Sequence, residues 1–287
     1  MKKNALLMNK IALALFFAGC STASPAAQPD QCADGKRPDN ITQAGGNGVC
    51  MAIKVFSPAA VDARQPLIVL THSDNGGSMT GDGFPTLART ISERFNSITI
   101  FMLRPGYRGN FGKSDGYANR EDDDYSKANV EYMARALRDL RQAHPGKKVV
   151  MVGHSGGAAM TGLLLALHPE LIEAAVLAGC PCDVGPWRRW RATSAGKSNI
   201  PWTNSLSPLD NTKQVSKRAV VIAITGEKDN NTLPQFSQTY IAALQRYGVE
   251  KAQFVLAAGA THVAVLRAPE FFEAIQSAVR AVSNSPD

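Results

Sequence analysis

The stretch Lys147 to His168, KKVVMVGHSGGAAMTGLLLALH, constrains this chain most. A β-rich run, Val149 to Val152, leads into Gly153-His154-Ser155-Gly156-Gly157, and small and apolar residues of helical character follow at once. The pattern is strand, sharp turn, helix, with a serine at the apex, and it fits the G-x-S-x-G elbow. The turn must be tight, so side chains at 153 or 157 would meet the neighbouring strand or helix. Ser155 then caps a helix whose free N–H groups and dipole favour developing negative charge. The pentapeptide alone recurs by chance. Its meaning depends on whether the rest of the chain supplies a base, an acid and a second set of N–H donors.

The flanking sequence alternates short apolar runs with amphipathic ones. Val49 to Phe56, Leu67 to Leu70, Ile98 to Leu103, Ile172 to Gly179, Arg218 to Thr225 and Ala252 to Ala257 read as strands. Phe84 to Phe95, Ser126 to His144, Pro234 to Tyr247 and Pro269 to Val282 read as helices, the second stopped by Pro145-Gly146. Unbroken apolar strands are those of a parallel sheet covered on both faces. The predicted fold class is therefore α/β: an open, mostly parallel sheet flanked by helices, with a short lid. With 44% hydrophobic and 19% charged residues in 287, the chain suits one domain around such a sheet.

Ligands bind these sheets beyond the carboxyl ends of the strands, so the chemistry is sought there. A serine needs a base in reach, itself held by an acid. Of five histidines, His144 and His168 precede prolines at surface positions, and His154 lies inside the elbow, where its backbone matters more than its ring. His72 and His262 remain. His262 follows the last strand in Gly259-Ala260-Thr261-His262 and is the expected base; Asp229 follows another strand in Thr225-Gly226-Glu227-Lys228-Asp229 and is the expected acid, ahead of Glu227. The order Ser155, Asp229, His262 is the one such folds use.

With these residues in view, the chain from about 49 to 284 resembles the α/β-hydrolase superfamily. It is most similar to the branch of dienelactone hydrolase-like proteins and prolyl oligopeptidase-type catalytic domains. The resemblance is carried by GHSGG at 153–157, GEKDNNTLP at 226–234, GATH at 259–262 and Ser207-Pro208-Leu209. It implies Ser155 as nucleophile, His262 as base and Asp229 as orienting acid. It also implies an oxyanion hole of two backbone N–H groups, from Gly156 and from the loop after Leu67–Leu70. The family usually has His-Gly-x in that loop; here it is His72-Ser73-Asp74, with the Asp74 N–H as the expected donor, Ser73 next, and His72 shaping the loop. Arg104-Pro105-Gly106-Tyr107-Arg108-Gly109 resembles a loop that borders the site in related hydrolases. Tyr107 and Trp187 are the expected pocket-lining side chains. The charge run Glu121 to Asp124 reads as a solvated helix N-terminus.

Residues 180–217 form the expected lid and hold all three tryptophans, Trp187, Trp190 and Trp202, among arginines. Cys180-Pro181-Cys182 at its start is either a tight bridge or two free thiols. Cys32 and Cys50 are the expected disulfide pair. No Cys/His spacing suggests a metal, and neither metal nor organic cofactor is needed.

Residues 1–19 read as a signal peptide, with a basic start and an apolar run from Ile11 to Ala18 too short to span a bilayer. Phe17-Ala18-Gly19-Cys20 resembles a bacterial lipoprotein lipobox, although Phe17 stands where Leu is preferred; Cys20 is the expected lipidation site, and cleavage near Ala23 or Ala27 is the alternative. Residues 20–45 then form the anchor, tether and N-terminal tail, and 46–287 the hydrolase domain. Removing residues 1–19, which hold Lys2, Lys3 and Lys10 and no acid, lowers the formal charge from +7 to +4. That mild excess does not argue for nucleic acid. The expected protein is a cell-envelope serine hydrolase, an outer-membrane lipoprotein or a periplasmic or secreted form, acting on a small ester or amide and touching the membrane only through its anchor. Too few residues precede the first core strand for a substrate-screening propeller, which favours an esterase. A small aminopeptidase-like amidase and a catalytically idle binding lipoprotein are the alternatives.

Overall fold

The computed structural model of the chain describes residues 41–46, 48–75, 78–118 and 123–284. Cys20 and Cys32, with the whole of the expected signal and tether, lie outside them. The elements are β1 (Ile41–Gly46), β2 (Val49–Phe56), β3 (Leu67–Thr71), β4 (Ser78–Met79), α1 (Gly83–Phe95), β5 (Thr99–Met102), β6 (Arg108–Gly109), β7 (Gly112–Lys113), α2 (Lys127–Ala143), β8 (Val149–His154), α3 (Gly156–Leu167), β9 (Ala174–Ala178), α4 (Val184–Ser194), β10 (Val220–Gly226), α5 (Pro234–Arg246), β11 (Ala252–Ala257) and α6 (Pro269–Ser283).

The apolar runs do what their composition dictates. Eight strands form one sheet in the order β1-β2-β5-β3-β8-β9-β10-β11. β1 and β2, and β2 and β5, pair antiparallel; the remaining pairs are parallel. Alternate residues of each central strand enter opposite cores. Leu67, Val69, Val149 and Met151 pack with α2, α3 and α5. Ile68, Leu70, Val150 and Val152 pack with α1 and α6. This two-sided burial is why these strands read as unbroken hydrophobic runs. α3 is buried along almost its whole length, from Gly156 to Ala166, which explains its lack of a polar face. Among the described residues no helix is long and apolar enough to cross a membrane.

Three features depart from the sequence reading. The segment Ile41–Gly46, assigned above to the tail, is an edge strand in register with β2, so the sheet begins before residue 46. Its polar, glycine-rich sequence hides a strand whose partner is supplied across a tight turn at Gly48. The lid contains a true helix, α4. The charge run ahead of α2 is not solvated where it is described: Asp123 is 9% exposed and Asp124 1%. Asp123 accepts hydrogen bonds from the N–H groups of Thr203 (3.0 Å), Asn204 (3.2 Å) and Ser205 (2.9 Å) and from Asn204 Nδ2 (3.2 Å). It therefore fastens the base of the lid to the start of α2.

Asp123→Ala removes these charge-assisted bonds and strands several N–H groups, at a cost of about 2 kcal/mol. The expected result is a Tm lowered by about 4–8 °C, with new proteolytic cuts between residues 195 and 206. A Tm within about 1 °C of wild type, with no new cuts, contradicts this role.

Candidate active site

The elbow is built as the glycines require. Ser155 has φ 54 and ψ −119, one of two non-glycine residues with positive φ among those described. Such a conformation costs on the order of 1–3 kcal/mol and persists only where surroundings over-determine it. Here the Ser155 N–H donates to the Ala178 carbonyl of β9 at 2.8 Å. A Cβ on Gly153 would strike the Gly157 carbonyl, and one on Gly157 would strike the carbonyls of Thr71 and His72. The chain can cross this point only without those side chains.

Asp229 and His262 leave the ends of β10 and β11 and meet. His262 Nδ1 donates to Asp229 Oδ2 at 2.8 Å. The Thr232 hydroxyl donates to the same oxygen at 2.9 Å, and the N–H groups of Asn231 (2.8 Å) and Thr232 (2.9 Å) donate to Oδ1. Burial raises the Asp229 pKa, but these hydrogen bonds outweigh it and hold the carboxyl below its ordinary value. Glu227 is exposed and accepts instead from the Gly259 N–H at 2.8 Å. Ser155 lies next to His154, whose ring is 4.8 Å from that of His262 and whose Nε2–H donates to the His262 carbonyl at 2.9 Å. The sequence reading gave the His154 ring no part; the structure makes it a prop for the His262 loop.

Across the elbow lies the loop of His72, Ser73 and Asp74. His72 Nδ1–H donates to the Ser73 carbonyl at 2.7 Å, and Nε2 accepts the Arg104 N–H at 2.9 Å. The ring is thus a fixed neutral tautomer and shapes the loop. The Asp74 carboxylate pairs with Arg104 Nη1 and accepts from the Tyr125 hydroxyl at 2.6 Å. It lies directly over Gly156: a Cβ there would collide with Asp74 Oδ1 and Arg104 Nη1. Glycine follows the serine because Asp74 occupies the space of its side chain. Like charges about 4 Å apart repel by about 4 kcal/mol at an effective dielectric of about 20. The Asp74 carboxylate over Gly156 is balanced by a cationic partner.

That partner, Arg104, is 1% exposed and also reaches Asp124 Oδ1 at 2.5 Å. Burial opposes its charge, but Asp124 and Asp74 keep its pKa above the ordinary value. Tyr107 does not line a pocket. It is fully buried, its ring 4.5 Å from His72 and 4.9 Å from the Arg104 guanidinium, so its place is beneath the loop. Trp187 is 5% exposed and donates its indole N–H to the Asn231 carbonyl at 2.8 Å, which anchors α4 to the turn carrying Asp229. Trp202 packs edge-on to Trp187 (5.4 Å) and Tyr125 (5.3 Å). Cys180 and Cys182 form a buried disulfide between β9 and α4, which settles the choice between bridge and free thiols. Cys50 is disulfide-bonded as well; Cys32, its expected partner, lies outside the described residues. Among the described residues no group of three or more His, Cys, Asp and Glu side chains is placed to hold a metal ion.

His72 and His154 are both buried, and burial above all pushes their pKa values down to about 3. In the unfolded chain each takes up a proton near pH 6.5. Between these limits the unfolded state binds more protons, so stability falls as pH drops from about 6.5. The slope is at most about 1.4 kcal/mol per pH unit for each histidine. Urea denaturation between pH 4.5 and 6.5 is expected to show this slope, and His72→Gln and His154→Gln are each expected to remove about one histidine's share. Slopes unchanged in both variants contradict neutral burial.

Comparison with known proteins agrees with this fold. The prolyl oligopeptidase family matches residues 96–277. Acetylxylan esterase A of Aspergillus ficuum is 26% identical over 163 residues, which are 54% of this chain and 52% of that protein, so the chain spans about half the length of this curated relative. Among solved structures, Est1E from Butyrivibrio proteoclasticus superposes with a TM-score of 0.64 at 12% identity, covering 85% of this chain and 100% of that one. The acylaminoacyl peptidase of Pyrococcus horikoshii superposes with a TM-score of 0.57 at 14% identity, covering 82% of this chain and 39% of that one. The two structures share the α/β-hydrolase fold seen here, and on the extent of the family match the chain belongs to the prolyl oligopeptidase family.

Proposed function

We propose that the protein is a serine hydrolase that cleaves carboxylic esters through an acyl-serine intermediate. The observation that carries this reading is the Asp229–His262 hydrogen bond, joined through the His154 ring to a strand-to-helix turn whose next residue, Ser155, is held at φ 54. With Nδ1–H given to Asp229, His262 keeps its Nε2 lone pair for the Ser155 hydroxyl proton. Ser155 Oγ attacks the ester carbonyl as that proton moves to Nε2. The oxyanion is received by the N–H groups of Gly156 and Asp74, neither of which donates to another acceptor among the described residues. The imidazolium, stabilised by Asp229, returns the proton to the leaving alkoxide. Water then enters by the same route: His262 takes its proton as its oxygen attacks the acyl carbon, the bond to Ser155 Oγ breaks, the imidazolium returns the proton to Ser155 Oγ, and the acid departs.

The acetylxylan esterase relationship favours an ester over an amide. A location in the cell envelope rests on the lipobox-like sequence at Cys20 and is supported by the disulfides at Cys50 and at Cys180–Cys182, which suit an oxidising compartment.

Ester hydrolysis by purified protein, measured with p-nitrophenyl acetate, is expected to fall by at least about 10³-fold in Ser155→Ala and by a similar factor in Asp229→Asn. A fluorophosphonate is expected to label wild type at Ser155 and to leave Ser155→Ala unlabelled. Undiminished hydrolysis in Ser155→Ala, or labelling at another residue, contradicts the assignment.

A further inference from the structure

The hydrogen bonds of Arg104 go to His72, Asp74 and Asp124, so that it grips the oxyanion loop at both ends. Its backbone N–H donates to His72 Nε2 at 2.9 Å, and its guanidinium holds the Asp74 carboxylate. The second arm of the guanidinium is fixed by Asp124 at 2.5 Å, and its faces lie 4.9 Å from the Tyr107 ring centre and 5.3 Å from that of Tyr125. Asp124 is tied to α2 through its carbonyl, which accepts Asn129 Nδ2 at 2.7 Å. Tyr125, which shares Asp74 with Arg104, is tied to the lid base: its N–H donates to Ser205 Oγ (3.1 Å) and its carbonyl accepts the Leu206 N–H (3.0 Å). A buried charge in such a cage is costly to desolvate and adds little net stability over an apolar substitute. Its effect here is geometric. It fixes where the Asp74 N–H lies relative to the Gly156 N–H.

We infer that Arg104 is the positioning residue of the oxyanion hole, holding the loop of His72 to Asp74 against Gly156 and linking it through Asp124 and Tyr125 to α2 and the lid. This rests on the hydrolase reading above. Lysine at 104 keeps a buried cation but loses the fork, so Arg104→Lys retains the charge balance while freeing Asp74. Displacements of about 1 Å at such a site cost on the order of 10²-fold in rate.

The test compares wild type, Arg104→Lys and Tyr125→Phe with p-nitrophenyl acetate, alongside crystal structures of each. Arg104→Lys is expected to lower kcat by at least about 30-fold with KM within about threefold, and to slow fluorophosphonate labelling in parallel, because both steps place an anion in the hole. Tyr125→Phe, which removes one hydrogen bond and strands no charge, is expected to lower kcat by about 3- to 10-fold in the same manner. In the Arg104→Lys crystal the Asp74 nitrogen is expected to move by more than about 0.5 Å relative to the Gly156 nitrogen. A folded Arg104→Lys with kcat within threefold of wild type overturns the inference. So does a loss that merely follows the folded fraction, a rise in KM alone, or an unmoved Asp74 nitrogen. If wild type hydrolyses no ester, the hydrolase reading falls on that result, and the Asp74 displacement alone judges Arg104.

Discussion

Ser155 stands at φ 54 because three backbones and one carboxylate converge on it. β8 delivers it, the Ala178 carbonyl of β9 holds its N–H, the carbonyls of Thr71 and His72 press on Gly157, and Asp74 covers Gly156. Close approach at this one point sets the relation of β3, β8 and β9, the three central strands of the sheet. It also explains the run of two glycines after the serine, each excluded from carrying a side chain by a different neighbour. The apolar layers on both faces of the sheet keep that convergence from relaxing.

The site is assembled from parts with opposite electrostatic tasks. On one side Asp229 is an anion held by N–H groups, a hydroxyl and His262, so its charge is fixed and aimed at the imidazole. On the other side the Asp74 carboxylate lies over Gly156, with Arg104 and Tyr125 taking both of its oxygens. His72 and His154 stay neutral between them, each committed to one backbone carbonyl. Asp229, His72 and His154 thus keep assigned protonation states, by burial and by hydrogen bonds rather than by exposure to solvent.

The parts that could be read from sequence were those written in contiguous residues. The elbow, the strand-end positions of Asp229 and His262, and the alternation of buried strands with amphipathic helices all leave local patterns, and the structure places them where those patterns point. What the sequence hid depends on contacts between distant positions. Arg104 meets Asp74 and Asp124 across 30 and 20 residues, and nothing local to Glu121–Asp124 distinguishes a solvated acidic run from one that buries its last two members. Tyr107 sits in a motif that borders the site, yet its ring turns inward, because His72 and the buried guanidinium offer it a packed face. The strand at Ile41–Gly46 escaped notice because an edge strand needs a partner more than a hydrophobic sequence.

The central claim is that Ser155 carries the acyl group between two half-reactions. Rapid mixing of the protein with p-nitrophenyl acetate, followed by intact-mass and peptide mass spectrometry of the acid-quenched enzyme, tests it most directly. The expected result is a burst of about one p-nitrophenol per enzyme, together with a single acetyl group on the peptide holding Ser155. Steady release with no burst, and an acetyl group absent from that peptide or found on another residue, would contradict it.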